Sequence, residues 1–173
     1  MTASWAQDVR NIPKQEIRDI LAPIRRPVEI AIYGSKNSFN FSAIIRTGHN
    51  FLASKYWGIE IKTVYEKAMM TARRYDEHLI NLVSIDEFLE QNKDRQIVAF
   101  EKREGLNSQD IRDFVYPENC ILLFGNEDTG IPDELLVRAN HIVHIPVMGL
   151  VMDFNIACAC SMALFDHWTK ETK

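Results

Sequence analysis

The 173-residue chain is predicted to fold as an α/β domain, a parallel sheet with helices on both faces. Strand-like runs and helix-like segments alternate from residue 28 to the end. Several runs, 121–124 above all, are continuously apolar, as strands buried on both faces are. Between residues 120 and 165 every glycine falls between such segments, where the chain must turn.

Residues 1–27 read as a basic N-terminal extension and 28–173 as one domain. In the extension, Pro13 at a first helical position opens a helix that closes before Pro23. A strand over 28–33 is followed by a polar loop, Gly34 to Phe39. A helix from Phe41 to about Leu52 shows core spacing at Phe41, Ile44, Ile45 and Phe51. Strands are expected at 56–61 and 80–83, with a helix at 68–78 between them. Ser84 caps a helix over 85–91, with Glu87 at the capping-box position. A strand follows at 96–100, then a polar loop or frayed helix over 102–113.

The strand 121–124 is broken by Gly125-Asn-Glu-Asp-Thr-Gly130. Pro132, Asp133 and Glu134 make the first turn of a short helix. A strand over 141–146 ends in Pro146. A loop, 148–153, then leads to a helix of small and apolar residues from Asn155 onward. Two strand-to-helix loops lying side by side at the carboxyl ends of parallel strands are where such sheets hold ligands.

Composition narrows the function. A hydrophobic fraction of 46% and a charged fraction of 25% are ordinary for a soluble globular domain. No apolar run reaches membrane-spanning length, and MTASWAQDVR does not read as a signal peptide. Three cysteines, two of them (Cys158 and Cys160) on one helix, read as reduced thiols packed as small apolar residues. No Cys-x-x-Cys or histidine pair has ligand spacing, so no metal site is predicted, and the five scattered histidines are given no catalytic role. No G-x-G-x-x-G follows a strand, and GNEDTG lacks the Lys-Ser/Thr of a P-loop, which argues against dinucleotide enzymes and NTPases. The net charge of −4 is unevenly spread: Arg10 to Arg74 holds 12 Lys/Arg against 5 Asp/Glu. A basic front on an acidic body can supply phosphate contacts.

Three motifs, in order, resemble those of the SpoU (TrmH) branch of the SPOUT RNA methyltransferases. Asn40 followed by Arg46 and Thr47 is similar to the first, Gly125, Glu127 and Gly130 to the second, and Ile145, Pro146, Gly149 and Asn155 to the third. The resemblance covers about residue 28 to the end. It implies an α/β SPOUT fold with a deep C-terminal trefoil knot, which general topology rules would not suggest. It also implies an S-adenosylmethionine-dependent methyltransferase acting on a ribose 2′-hydroxyl of tRNA or rRNA.

Residue roles follow from that resemblance. Gly125, Ile145 and Phe154 are expected to hold the adenosine part of S-adenosylmethionine, with Phe100 lining the same pocket and Asp153 beside it. Arg46 is expected near the target ribose, either activating its hydroxyl or holding the adjoining phosphate. An arginine is effectively always protonated, so phosphate positioning and oxyanion stabilisation are the physically cheaper roles. Asn40 clamps loop or substrate. Glu127 either pairs with Arg46 or accepts N–H bonds in its own loop. Asn155 either caps the last helix or donates toward substrate. Where the family has Ser-Leu-Asn, this chain has Asp153-Phe154-Asn155. Asp153 could serve as a base or attract the sulfonium, or repel RNA and mark a non-catalytic binder of donor or RNA. Lys14, Arg18, Arg25 and Arg26 make the extension either an RNA-contacting arm or a packing helix. Phe165 and Trp168 suggest an interface, and the resemblance implies a cytoplasmic homodimer in which Arg46 completes the partner's site.

Overall fold

The computed structural model describes residues 11–35, 37–61, 76–151 and 153–171. In chain order these form α1 (Lys14–Leu21), β1 (Arg26–Tyr33), α2 (Ser38–Asn50), β2 (Ala53–Ile59), β3 (Ile80–Val83) and α3 (Ile85–Gln91). There follow β4 (Gln96–Phe100), β5 (Gln109–Asp110), β6 (Cys120–Phe124), α4 (Asp133–Leu136), β7 (His141–His144) and α5 (Ile156–Glu171). The strands make one sheet in the order β3-β2-β1-β6-β4-β7-β5, and every adjacent pair is parallel. No described helix is long and apolar enough to cross a membrane.

Alternation along each strand divides the core in two. Ile30, Ile32, Tyr56, Val98, Leu122 and Phe124 face one layer, filled by Phe41, Ile44 and Ile45 of α2 and by Ile156, Cys160, Ala163 and Leu164 of α5. Ala31, Trp57, Ile97, Ala99, Ile121 and Leu123 face the other, against Phe88 of α3 and Leu135 and Leu136 of α4. Helices therefore cover both faces, as the apolar runs require. Cys120 and Cys160 are core residues, and burial pushes the Cys120 thiol up to about 12. Cys158 differs from expectation in being exposed on α5.

Most boundary differences have local causes. α2 starts at Ser38, earlier than apolar spacing alone suggests, because Asn37 Oδ1 accepts the Phe39 N–H at 3.0 Å and caps it. β2 stops at Ile59 rather than 61 because Glu60 takes a left-handed conformation, φ 55°, that ends the ladder. The capping box on α3 forms as expected, with Ser84 N–H donating to Glu87 Oε2 at 2.8 Å and Glu87 N–H to Ser84 Oγ at 3.2 Å. The polar stretch 102–113 contains the short edge strand β5 and one 3-10 turn. Of the helix expected at 68–78, residues 68–75 lie outside the described residues; Glu77–Leu79 form a 3-10 turn.

One buried ionic group joins the extension to the sheet. Asp76 is fully buried. Its carboxylate receives the Arg25 guanidinium at 2.5 and 3.3 Å and the Tyr56 hydroxyl at 2.9 Å, and lies 3.1 Å from His49 Nδ1. Burial alone would raise its pKa. Hydrogen bonds from His49 and Arg25, with their charges, outweigh that and hold it at about 2, below the ordinary 3.8. A carboxyl depressed on folding stabilises fully above its unfolded value and loses that contribution as pH falls through the folded one. Asp76→Asn should therefore cost about 2 kcal/mol at pH 7 in urea unfolding, with the deficit shrinking between pH 4 and 2. A deficit independent of pH in that window would contradict the assignment.

Candidate active site

A cleft of about 600 Å³ opens at the carboxyl ends of β4, β6 and β7. The sequence suggested that the loops after β6 and β7 lie on neighbouring strands, but β4 runs between them. Its last residue, Phe100, stacks on Phe124 of β6 with ring centroids 5.0 Å apart and planes at 12°. This pair gives the cleft an apolar floor, and the two loops form its walls.

The wall after β6 is a closed backbone ring. Asn126 and Gly130 exchange both main-chain hydrogen bonds, at 3.1 and 2.8 Å. Gly130 has φ 69°, and a Cβ on Gly125 would lie 2.3 Å from the Gly130 carbonyl carbon, so both positions require glycine. Asn126 is buried. Its Nδ2 donates to the Gly34 carbonyl at 2.5 Å and its Oδ1 accepts from Asp128 N–H at 2.8 Å. The ring is thereby fastened to the loop that follows β1.

Glu127 projects from this ring toward α2, where Asn40 Nδ2 donates to its Oε1 at 2.5 Å. Asn155 Nδ2 donates to Asn40 Oδ1 at 3.2 Å, while Asn155 Oδ1 accepts the Ala157 N–H at 2.9 Å and caps α5. Three side chains distant in sequence thus link the start of α2, the β6 loop and the start of α5. Arg46 is exposed and makes no hydrogen bond or ion pair among the described residues. The pairing of Glu127 with Arg46 is not formed. Arg46 sits six residues along α2 from Asn40, about 9 Å up the helix axis, and the Asn40 amide takes its place.

All five residues expected around the donor, Gly125, Ile145, Phe154, Phe100 and Asp153, line the cleft, as do Glu127 and Asn155. Asn40 and Arg46 do not line it. Asp153 and Phe154 lie on an exposed loop whose Leu150 is 100% exposed. Sequence reasoning missed three residues of the site. Asn126 carries no signal beyond its place in the turn. Glu101, the first charge after a central strand, accepts the Ile131 N–H at 2.8 Å from beneath Gly130. His144 lines the cleft with Nδ1 3.0 Å from Ser108 Oγ. No group of three or more His, Cys, Asp or Glu able to hold a metal occurs among the described residues.

The basic front is partly consumed within the fold. Arg25 is bound to Asp76, and Arg26 pairs with Glu171 at the end of α5. Lys55 lies over the Trp57 ring, 4.0 Å from its centroid.

The sequence model of the SpoU rRNA Methylase family matches residues 27–165. The tRNA (guanosine(18)-2′-O)-methyltransferase of Aquifex aeolicus is 27% identical over 158 residues, covering 88% of this chain and 74% of that enzyme. The enzyme of the same name from Thermus thermophilus is 28% identical over 81 residues, 47% of this chain and 42% of its own length. Among solved structures, the AdoMet-bound rRNA methyltransferase of Sinorhizobium meliloti superposes with a TM-score of 0.74 at 24% identity, covering 88% of this chain and 59% of that one. The A. aeolicus TrmH/SpoU tRNA modifying enzyme does so with a TM-score of 0.73 at 21% identity, covering 91% and 82%. At such identities the superpositions establish a shared fold, whereas the family match spans most of the sequence. The chain belongs to the SpoU rRNA methylase family.

Proposed function

We propose that this protein transfers a methyl group from S-adenosylmethionine to a ribose 2′-hydroxyl of tRNA or rRNA. The observation that carries the reading is the hydrogen-bonded chain Glu127–Asn40–Asn155, which ties the cleft to α2, the helix that bears Arg46. It joins all three family motifs at one place. Curated relatives named as tRNA (guanosine(18)-2′-O)-methyltransferases support tRNA as the acceptor.

The cleft suits the donor. Phe100 and Phe124 offer an apolar floor for a purine, and the ring from Gly125 to Gly130 offers backbone edges beside it. Gly125, Ile145 and Phe154 hold the adenosine, with Asp153 near the charged end. The bound donor supplies an activated methyl on a sulfonium, so the protein's tasks are placement of the acceptor oxygen and disposal of its proton. Asn40 and Asn155 orient the substrate edge of the cleft, each fixed by the other. Arg46, without a partner among the described residues, holds the phosphate next to the target ribose and stabilises the developing oxyanion.

Asp153 favours a second reading, a binder of donor or RNA without efficient transfer. An ionised carboxylate at the cleft mouth repels phosphate and accepts but never donates hydrogen bonds. The enzyme reading is preferred because the Glu127–Asn40–Asn155 chain is intact. We further propose the family's C-terminal knot, a cytoplasmic location and a homodimer. Support for the dimer comes from Phe165 and Trp168, exposed on α5 beside a groove of about 320 Å³ that Phe51 and Leu52 also line.

Labelled S-adenosylmethionine incubated with undermodified tRNA and rRNA should place label in a 2′-O-methylnucleoside. Label on a base overturns the ribose assignment. No label, with donor binding confirmed, favours the binder. Arg46→Ala should keep its affinity for S-adenosylhomocysteine within about twofold while transfer falls about 100-fold. Unchanged transfer removes Arg46 from the mechanism.

A further inference from the structure

Glu101 lines the cleft between the two loops. It follows Phe100 directly, and its own N–H still pairs with Val143 O at 3.0 Å, so its backbone continues the sheet. Its carboxylate is held from two sides: Oε2 accepts the Ile131 N–H at 2.8 Å, and Oε1 accepts the Lys102 N–H at 3.0 Å. A Cβ on Gly130 would meet Oε2 at 2.5 Å, so the Gly125–Gly130 ring lies directly against this carboxylate.

Each carboxylate oxygen accepts two hydrogen bonds, and each here has one described N–H partner. A pair of acceptor sites therefore remains, on a group fixed in direction by two backbone donors and rooted in a central strand. The other carboxylates of the cleft are placed differently. Glu127 is turned to Asn40, and Asp128 and Asp153 are exposed. A fixed carboxylate beside an apolar floor matches one chemical feature of an adenosyl ligand, its vicinal ribose diol, which presents two adjacent O–H donors.

We propose that Glu101 is a donor-recognition residue whose carboxylate accepts hydrogen bonds from the 2′- and 3′-hydroxyls of the adenosyl ribose. The inference rests on the donor reading above and assigns specificity within it. A carboxylate that only fastens the ring through Ile131 would leave the diol unread. The two roles differ in what a change at Glu101 does to ligands that lack a hydroxyl.

The test is calorimetric binding of S-adenosylhomocysteine and of its 2′-deoxy and 3′-deoxy analogues to the full chain and to Glu101→Gln. The wild-type protein should bind at least one deoxy analogue tenfold or more weakly than S-adenosylhomocysteine. Glu101→Gln should weaken S-adenosylhomocysteine by at least tenfold but that analogue by no more than about threefold, because the lost interaction is already missing. Equal weakening of all three ligands makes Glu101 a ring fastener and overturns the proposal. So does equal affinity of the wild-type protein for all three, a result that needs no folded variant. Wild-type protein that binds none of them overturns the donor reading itself and this inference with it.

Discussion

The chain from Gly125 to Gly130 closes on itself so tightly that no side chain fits between the two glycines, and the site is built outward from that contact. Closure aims the Asn126 side chain inward to the Gly34 carbonyl, sets the Ile131 N–H over Glu101 and turns Glu127 out toward α2. A methyl group at Gly125 would force the ring open and release all three bonds at once. The strands beneath are held by ordinary core packing, but the cleft's shape depends on this one close approach.

The same economy governs charge. A count of lysines and arginines gives the N-terminal part a basic front, yet Arg25 and Arg26 are committed to Asp76 and Glu171. Those pairs fix the extension and the end of α5 to the sheet. Asp76 is buried, and without its cation its carboxylate would be costly, so Arg25 cannot be diverted to a ligand without loss of stability. Arg46 is the contrasting case: exposed, without a partner among the described residues, and on the helix whose first turn carries Asn40.

Much of this was legible in the sequence. Continuous apolar runs announced a sheet buried on both faces, and the cleft residues Gly125, Ile145 and Asn155 lay in motifs with recognisable spacing. What the sequence hid was long-range. That β4 runs between β6 and β7 is a property of strand order, which local patterns do not encode, and it explains how Phe100 and Glu101 come to sit between the two loops. The partner of Glu127 is a third group beyond Arg46 and its own loop: the Asn40 amide, which lies about a turn and a half before Arg46 on α2. Asn37 is a local signal for the start of α2, since asparagine is a favoured cap, whereas nothing in a glutamate marks Glu60 for the left-handed turn that ends β2. Asn126 had no signal at all: an asparagine inside a turn is common, and its reach to Gly34 spans 92 residues.

We propose the cleft at the carboxyl ends of β4, β6 and β7 as the methyl-donor site. A crystal structure of the protein with S-adenosylhomocysteine tests it most directly. The adenosine is expected over Phe100 and Phe124, between the Gly125–Gly130 ring and the segment from Ile145 to Phe154. Ligand density elsewhere on the molecule, with this cleft empty, would contradict it.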